Sequence, residues 1–353
     1  MKMYIRSAAS ISPQKTFGQP AFLNDLVEYH TNRLKCIEPD YDELIDPKLS
    51  RRMSRIIKMS VASALACLND AQIEKPDAIV TGTALGCLED TGTFLNNMVE
   101  YDEEPLNPVA FVQATHNTIG AQIALLLKCN GYNNTFVNGG VSFENVLLDA
   151  AMLLDEGRSN VLVGAMDEIT DMSYAILNRT GMYRRTTVSN LNLFEPGAKG
   201  TVAGEGASFF LLTNTPSEHN IASIDAVSTF YKPVNIDEII KRVKSFLTAQ
   251  AVDRSDVDLL ILGNNGDAKN DEVYSKVKRA LFDEVPSINY KHLCGEYHVS
   301  SSFALWMVAK IIKTNHIPAS LNVKDGVRSK ISRVLIYNHY QNIHHSLILV
   351  SSC

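Results

Sequence analysis

Between Thr135 and Glu168 the chain reads TFVNGGVSFENVLLDAAMLLDEGRSNVLVGAMDE. Thr135-Phe136-Val137 predicts a short buried strand, and Asn138-Gly139-Gly140 a tight turn that adjacent glycines allow. Val146, Leu147, Ala150, Ala151 and Leu154 then repeat at helical spacing, and Gly157 stops the helix before a second buried strand at 161–164. A strand–turn–helix elbow exposes one side chain beside free helix N–H groups, and α/β enzymes mount nucleophiles there. Here the tip carries glycine, which has no side chain with which to form a covalent intermediate.

Other groups capable of chemistry are scattered. Ser142 sits two positions past the tip, where a first-turn serine caps a helix. The six cysteines (36, 67, 87, 129, 294 and 353) include no CxxC pair and read as reduced, mostly buried thiols rather than zinc ligands. Among them, Cys87 follows the Gly82–Gly86 turn and Cys294 precedes Glu296 by two residues. His116-Asn117 reads as a loop-capping or interface pair, and His298 as structural. His339, His344 and His345 read as surface or interface residues, because adjacent strand residues point to opposite faces and make a poor metal site. Glu144 and Asp149 read as a first-turn and a surface carboxylate. No metal and no cofactor is expected.

The elements that must position these groups come from a 353-residue chain that is 45% hydrophobic, enough for a large core. Its net charge of -6 argues against a nucleic-acid surface. No apolar run reaches membrane-spanning length and the N-terminus lacks a signal-peptide core, so a cytoplasmic protein is expected. After a first strand at 3–7 and loops over 10–48, Ser50 is expected to cap a helix through Asp70. A strand at 78–81, a helix at 94–100 and a loop over 105–115 follow. The segment 118–127, TIGAQIALLL, is apolar on nearly every side and is expected to be buried between two sheets. A polar loop over 171–199 leads to a strand at 207–213.

The pattern then restarts. Strands at 223–230, 259–262 and 288–290 alternate with helices at 236–250, 270–282 and 301–314, and strands at 334–337 and 346–350 finish the chain. SNVLVGAMDE followed by ASFFLLT parallels SRVLIYNHY followed by HSLILVSS. Alternating strands and helices, duplicated once, predict α/β layers with mostly parallel sheets in two similar halves, 1–215 and 216–353.

In this order and spacing the motifs resemble those of the β-ketoacyl-ACP synthases. Arg51-Arg52-Met53-Ser54-Arg55 is similar to "RRMDR", and Thr81-Gly82-Thr83-Ala84-Leu85-Gly86 to "GTGxG". Residues 200–207, GTVAGEGA, resemble "GFVxGEGA" and contain Glu205. Residues 161–168 resemble "ADVMxAGGxE", with Glu168 in the acidic position. Asn270-Asp271 is similar to the start of "NDxxE", and Lys291 with Gly295 to "KSxxGH". The resemblance spans most of the chain. It implies a thiolase-like fold, with the two halves stacked as α-β-α-β-α layers and mixed five-stranded sheets.

It also implies three reactive positions, a cysteine and two histidines. Counted along the chain, these slots fall on Gly140, Gly263 and Glu296; Lys291 is retained. Gly263 offers no side-chain donor, and Glu296, if ionised, repels a developing oxyanion unless a partner such as Lys291 neutralises it. Loss of one oxyanion donor costs about 3–4 kcal/mol of transition-state stabilisation. Residues 338–345, NHYQNIHH, stand where the family has a glycine-rich gate. The family's loop matching His116-Asn117 lies near its dimer interface and acyl tunnel. The pattern of losses resembles the chain-length factors, which complete a heterodimer with an active ketosynthase. CGEY and the shortened C-terminus are similar to ketosynthase-like proteins of aryl-polyene and flexirubin-type pathways. The expected partners are a second copy or an active ketosynthase, meeting near strand 133–137, and an acyl carrier protein. The alternative expectation is an acyltransferase, decarboxylase or thioesterase acting on acyl-ACP or acyl-CoA, with Glu296 or His116 as base. A further alternative is acyl-thioester binding without turnover.

Overall fold

The computed structural model describes residues 2–19, 22–104, 108–321, 323 and 328–353. Strands β1 (Met3–Ile11), β3 (Ala78–Gly82), β4 (Tyr132–Phe136), β5 (Asn160–Asp167) and β7 (Gly206–Thr213) pair in the order β1-β7-β5-β3-β4. Strands β8 (Ala222–Tyr231), β9 (Leu259–Leu262), β10 (Ser287–Asn289), β11 (Arg333–Tyr340) and β12 (His344–Ser351) pair in the order β8-β12-β11-β9-β10. In both runs the first two junctions are antiparallel and the last two parallel, so the halves are the same motif built twice. The repeat seen in sequence is β5-then-β7 against β11-then-β12. The runs are joined, because Met3–Ile5 of β1 also pairs with 222–224 of β8 and makes one ten-stranded ladder. A two-residue ladder links β2 (Arg33–Leu34) to β6 (Ala203–Gly204).

The layers follow from which helix faces are apolar. Helix α6 (Ser142–Asp155) buries Val146, Leu147, Ala150, Leu153 and Leu154. Helix α11 (Ser301–Thr314) is buried nearly all round. Both contribute to a core that also draws side chains from both sheet halves, so they form the central layer. Each fully buried aliphatic side chain in such a core contributes about 1.5–3 kcal/mol. Helix α2 (Arg55–Ala71) covers the outer face of the first half, and α8 (Ile236–Ala249) with α9 (Ala268–Leu281) covers that of the second.

Several elements differ from expectation. Ser50 does not open the long helix; it ends α1 (Pro47–Ser50), which Asp46 caps with Pro47 at the first position, a favoured start. Ser54 precedes α2 instead. Helix α3 spans Leu88–Glu100. Within the segment expected as a loop, residues 105–107 lie outside the described residues and α4 occupies Pro108–Gln113. Helix α5 (Thr118–Leu126) does not lie between the sheets; it packs on α2 and β4 and leaves Leu125 72% exposed. β4 is an edge strand, half exposed rather than buried. The expected polar loop after residue 170 contains α7 (Asp171–Arg179), started by a capping box between Thr170 and Ser173. The short α10 (Lys291–Cys294) completes the helices of the site.

Candidate functional site

The carboxyl ends of β4, β5, β9, β10 and β11 converge, the place where α/β sheets gather their sites. At the end of β4 the chain turns through Gly139, which has φ +59°, into a short 3₁₀ turn and then α6. Ser142 holds this elbow from inside. Its Oγ accepts from the Asn138 N–H at 2.8 Å and donates to the Gly139 carbonyl at 2.9 Å. Ser142 is fully buried at the first position of α6, with its hydroxyl committed to the turn and not to capping the helix. The tip, Gly140, is buried and closed over. A Cβ built there would lie 2.5 Å from Tyr340 Cβ, 3.1 Å from Tyr340 Cγ and 3.2 Å from His344 Cβ.

Gly263 ends up equally enclosed, just beyond β9. A Cβ there would run into the Asn338 side-chain oxygen and lie 2.6 Å from the Tyr274 hydroxyl. Both oxygens are engaged: Asn338 accepts from Tyr290 Oη at 3.0 Å, and Tyr274 Oη accepts from the His339 N–H at 2.8 Å.

Glu296 is 2% exposed and faces the fully buried Lys291, whose Nζ lies 2.9 Å from each carboxylate oxygen. Asn265 Nδ2 donates to the same carboxylate at 2.6 Å. Lys291 also donates to the His339 carbonyl at 3.4 Å. Asp271 anchors the turn below by accepting from the N–H groups of Asn265 and Gly266, and burial pushes its carboxyl up to about 6. Buried ion pairs of this kind hold geometry, since breaking one partner strands a charge.

One tripeptide touches Gly140, Gly263 and Lys291, the partner of Glu296. Asn338 abuts Gly263, the His339 carbonyl meets Lys291, and Tyr340 covers Gly140. Gly140, Gly263 and the Lys291–Glu296 pair therefore lie along one buried segment, residues 338–340. The segment expected to align with a glycine-rich gate is instead the end of a β-hairpin: β11 and β12 run to Tyr340 and His344, and Gln341 and Asn342 take φ +53° at the turn.

Other residues fall in different places. Glu205 is fully buried and clamped by two Arg55 nitrogens and by the N–H groups of Cys36 and Ile169, a structural knot. Glu168 accepts from the Glu89 N–H at 3.1 Å, and burial pushes it up to about 7. His116 and Asn117 are exposed at the start of α5, where they line an open groove of about 490 Å³ with Phe94, Phe111 and Thr135. Cys87 and Cys294 are buried, and burial raises both thiols. Glu144 and Asp149 are buried, against the surface reading of the helix: α6 lies in the central layer, so even its polar positions meet protein. Burial raises the pKa of Glu144, against hydrogen bonds from Ser301 and Ser346 that lower it. His339 and His345 are buried, not at the surface. His339 stacks on Tyr274 at 4.3 Å and His345 on Phe230 at 4.8 Å.

Sequence reasoning missed Asp167, Tyr340 and the role of His298. Asp167 ends β5 with Oδ1 bound by the Thr83 hydroxyl (2.8 Å) and the Ala84 N–H (2.9 Å), while buried Oδ2 has no partner. Its pKa is raised by burial and drawn back by His298; that of His298 is lowered by burial and drawn back by Asp167. The His298 ring stacks on Tyr340 at 4.1 Å. An aspartate closing the apolar run VLVGAM was the available signal. Among the described residues no group of three or more His, Cys, Asp or Glu side chains is placed to hold a metal ion, and no helix is long and apolar enough to cross a membrane.

Residues 35–210 match the family model for the N-terminal domain of β-ketoacyl synthases. No curated protein matches the chain by sequence. Solved structures match it along its length. The ishigamide ketosynthase/chain length factor is 16% identical with a TM-score of 0.80, covering 100% of this chain and 99% of that one. A type II polyketide ketosynthase in complex with its acyl carrier protein, bound to the hexaketide, is 12% identical with a TM-score of 0.78 over 100% and 99%. A ketosynthase in complex with its chain length factor from Xenorhabdus doucetiae is 14% identical with a TM-score of 0.73 over 99% and 98%.

Proposed function

We propose that this chain, of the β-ketoacyl synthase family and thiolase-like in fold, does not condense acyl groups by itself and acts as a chain-length-factor-like partner of an active ketosynthase. The closed elbow carries this reading. A condensing enzyme needs a nucleophile at the helix N-terminus, room for the acyl group it receives, and donors for the thioester oxyanion. Here Gly140 supplies no nucleophile and Tyr340 takes the room. Gly263 supplies no donor, and Lys291, which has donors to give, is committed to Glu296. The edge strand β4 and the exposed Leu125 beside it support a protein–protein contact. Structures of ketosynthases paired with chain length factors, or bound to acyl carrier protein, support the pathway class.

The test is co-expression with candidate ketosynthases from the same genome. The expected result is a stable one-to-one complex that makes product of defined chain length, with neither chain sufficient alone. Absence of any complex, together with unchanged product length, overturns the reading.

A second reading, turnover of acyl thioesters by non-standard residues, is favoured by one observation: the buried Asp167 Oδ2, without a hydrogen-bond partner, interacts electrostatically with His298. Glu296 is a poorer base than the sequence suggested because Lys291 and Asn265 hold it, and His116 opens onto a different groove. Hydrolysis of acyl-ACP or decarboxylation of malonyl-ACP by the purified chain, abolished by His298→Ala or Asp167→Asn, would establish this reading. No turnover by the unaltered protein removes it.

A further inference from the structure

We infer that Tyr340 is the residue that excludes acyl groups from the elbow, so that the site is closed by a plug as well as lacking its sulfur. The inference rests on the reading that the chain does not condense by itself, and it adds the cause of exclusion. The atom nearest to a side chain at position 140 is Tyr340 Cβ, at 2.5 Å. A Cβ is fixed by the backbone, so no rotamer of Tyr340 clears the space. The backbone is fixed as well. Tyr340 pairs with His344 at the last step of the β11–β12 ladder, and its carbonyl accepts from the Ile343 N–H at 3.0 Å. The Asn342 N–H donates to His339 Nδ1 at 3.1 Å, and the Lys232 N–H to the Ile343 carbonyl at 2.8 Å, which ties the turn to the end of β8. The ring is held as well: it stacks on His298 at 4.1 Å, its hydroxyl points at Met182 Sδ at 3.7 Å, and the residue is 7% exposed.

This geometry makes an unusual demand on any attempt to restore the site. Reinstating sulfur by Gly140→Cys leaves it beneath the plug. Tyr340→Ala keeps the offending Cβ and does not open the elbow, whereas Tyr340→Gly removes it. The experiment uses the full chain as Gly140→Cys alone, with Tyr340→Ala, and with Tyr340→Gly. Each is treated with iodoacetamide, whose carbon forms a bond to the thiolate as iodide leaves. Peptide mass mapping follows residue 140 separately from the six native cysteines. The expected rate at residue 140 is at least tenfold higher in the glycine double variant than in the other two. Equal rates in all three overturn the plug and leave the partner reading standing, since complex formation and product length decide that separately. A second measurement does not depend on how Gly140→Cys folds. Tyr340→Gly in the native background is expected to speed amide hydrogen exchange at residues 139–141 at least tenfold, and unchanged exchange overturns the inference.

Discussion

Gly140 and Gly263 are glycine for steric reasons as well as chemical ones. A methyl group at residue 140 meets Tyr340 Cβ, so Gly140→Ala is expected to destabilise the protein by about 1–3 kcal/mol, the usual cost of overpacking. Chemical denaturation checks this, and a neutral result would show that the hairpin end yields easily. The Lys291–Glu296 pair makes a different prediction. Lys291→Met strands a buried carboxylate and is expected to cost about 3–5 kcal/mol, while Lys291→Met with Glu296→Leu recovers most of that loss. If the double variant is as unstable as the single one, the pair does more than neutralise its own charges. Glu168 gives a pH signature. Burial raises its folded pKa from 4.5 to about 7, so the fold favours the protonated form. Its contribution is complete below about pH 4.5 and is lost as pH rises through 7. Glu168→Gln stays neutral, so its stability relative to the unaltered protein is expected to rise between pH 5 and pH 8, by at most about 3 kcal/mol. Thermal unfolding at the two pH values reads this directly, and a gap that does not change with pH contradicts it. At this scale the sequence is legible in residue type: glycine at 140 offers no side chain. It was illegible where a neighbour decides the outcome: nothing in NHYQNIHH reveals that Tyr340 lands on Gly140, some 200 residues earlier in the chain.

The elements show the same division. Alternating apolar strands and amphipathic helices located most of β7, β9, β12, α8 and α11, because each buries a face that only one period fits. Helix α5 was misplaced for an instructive reason. TIGAQIALLL states that its surface wants cover but not which molecule supplies it, and Leu125 remains open beside edge strand β4. On the other side of that edge, α6 exposes Leu148 and Met152, at 38% and 57%. An unpaired strand flanked on both sides by exposed apolar residues is a template for pairing with another chain. Leu125→Glu with Met152→Glu is therefore expected to weaken association with a second thiolase-like chain more than tenfold while leaving thermal stability unchanged. Sedimentation of the complex measures the first and thermal unfolding the second. Undiminished association would move the interface elsewhere. The hairpin of β11 and β12 runs past the strands expected at 334–337 and 346–350, because its tip histidines pack in cross-strand ring contacts, His345 on Phe230 and His339 on His345.

At the scale of the whole molecule, the same five-strand motif is built twice and fused at β1 and β8, with α6 and α11 between the halves. The buried cluster lies where strand ends of both halves meet, so each half contributes positions to it: Gly140 and Asp167 from the first, Gly263, Lys291, Glu296 and Tyr340 from the second. The most direct measurement is intact mass and product analysis after the purified chain alone is incubated with isotopically labelled acyl-ACP and malonyl-ACP. The account predicts an unmodified polypeptide and no 3-oxoacyl product. Label covalently held at Ser142 or at any cysteine, and carried on into elongated product, would contradict it.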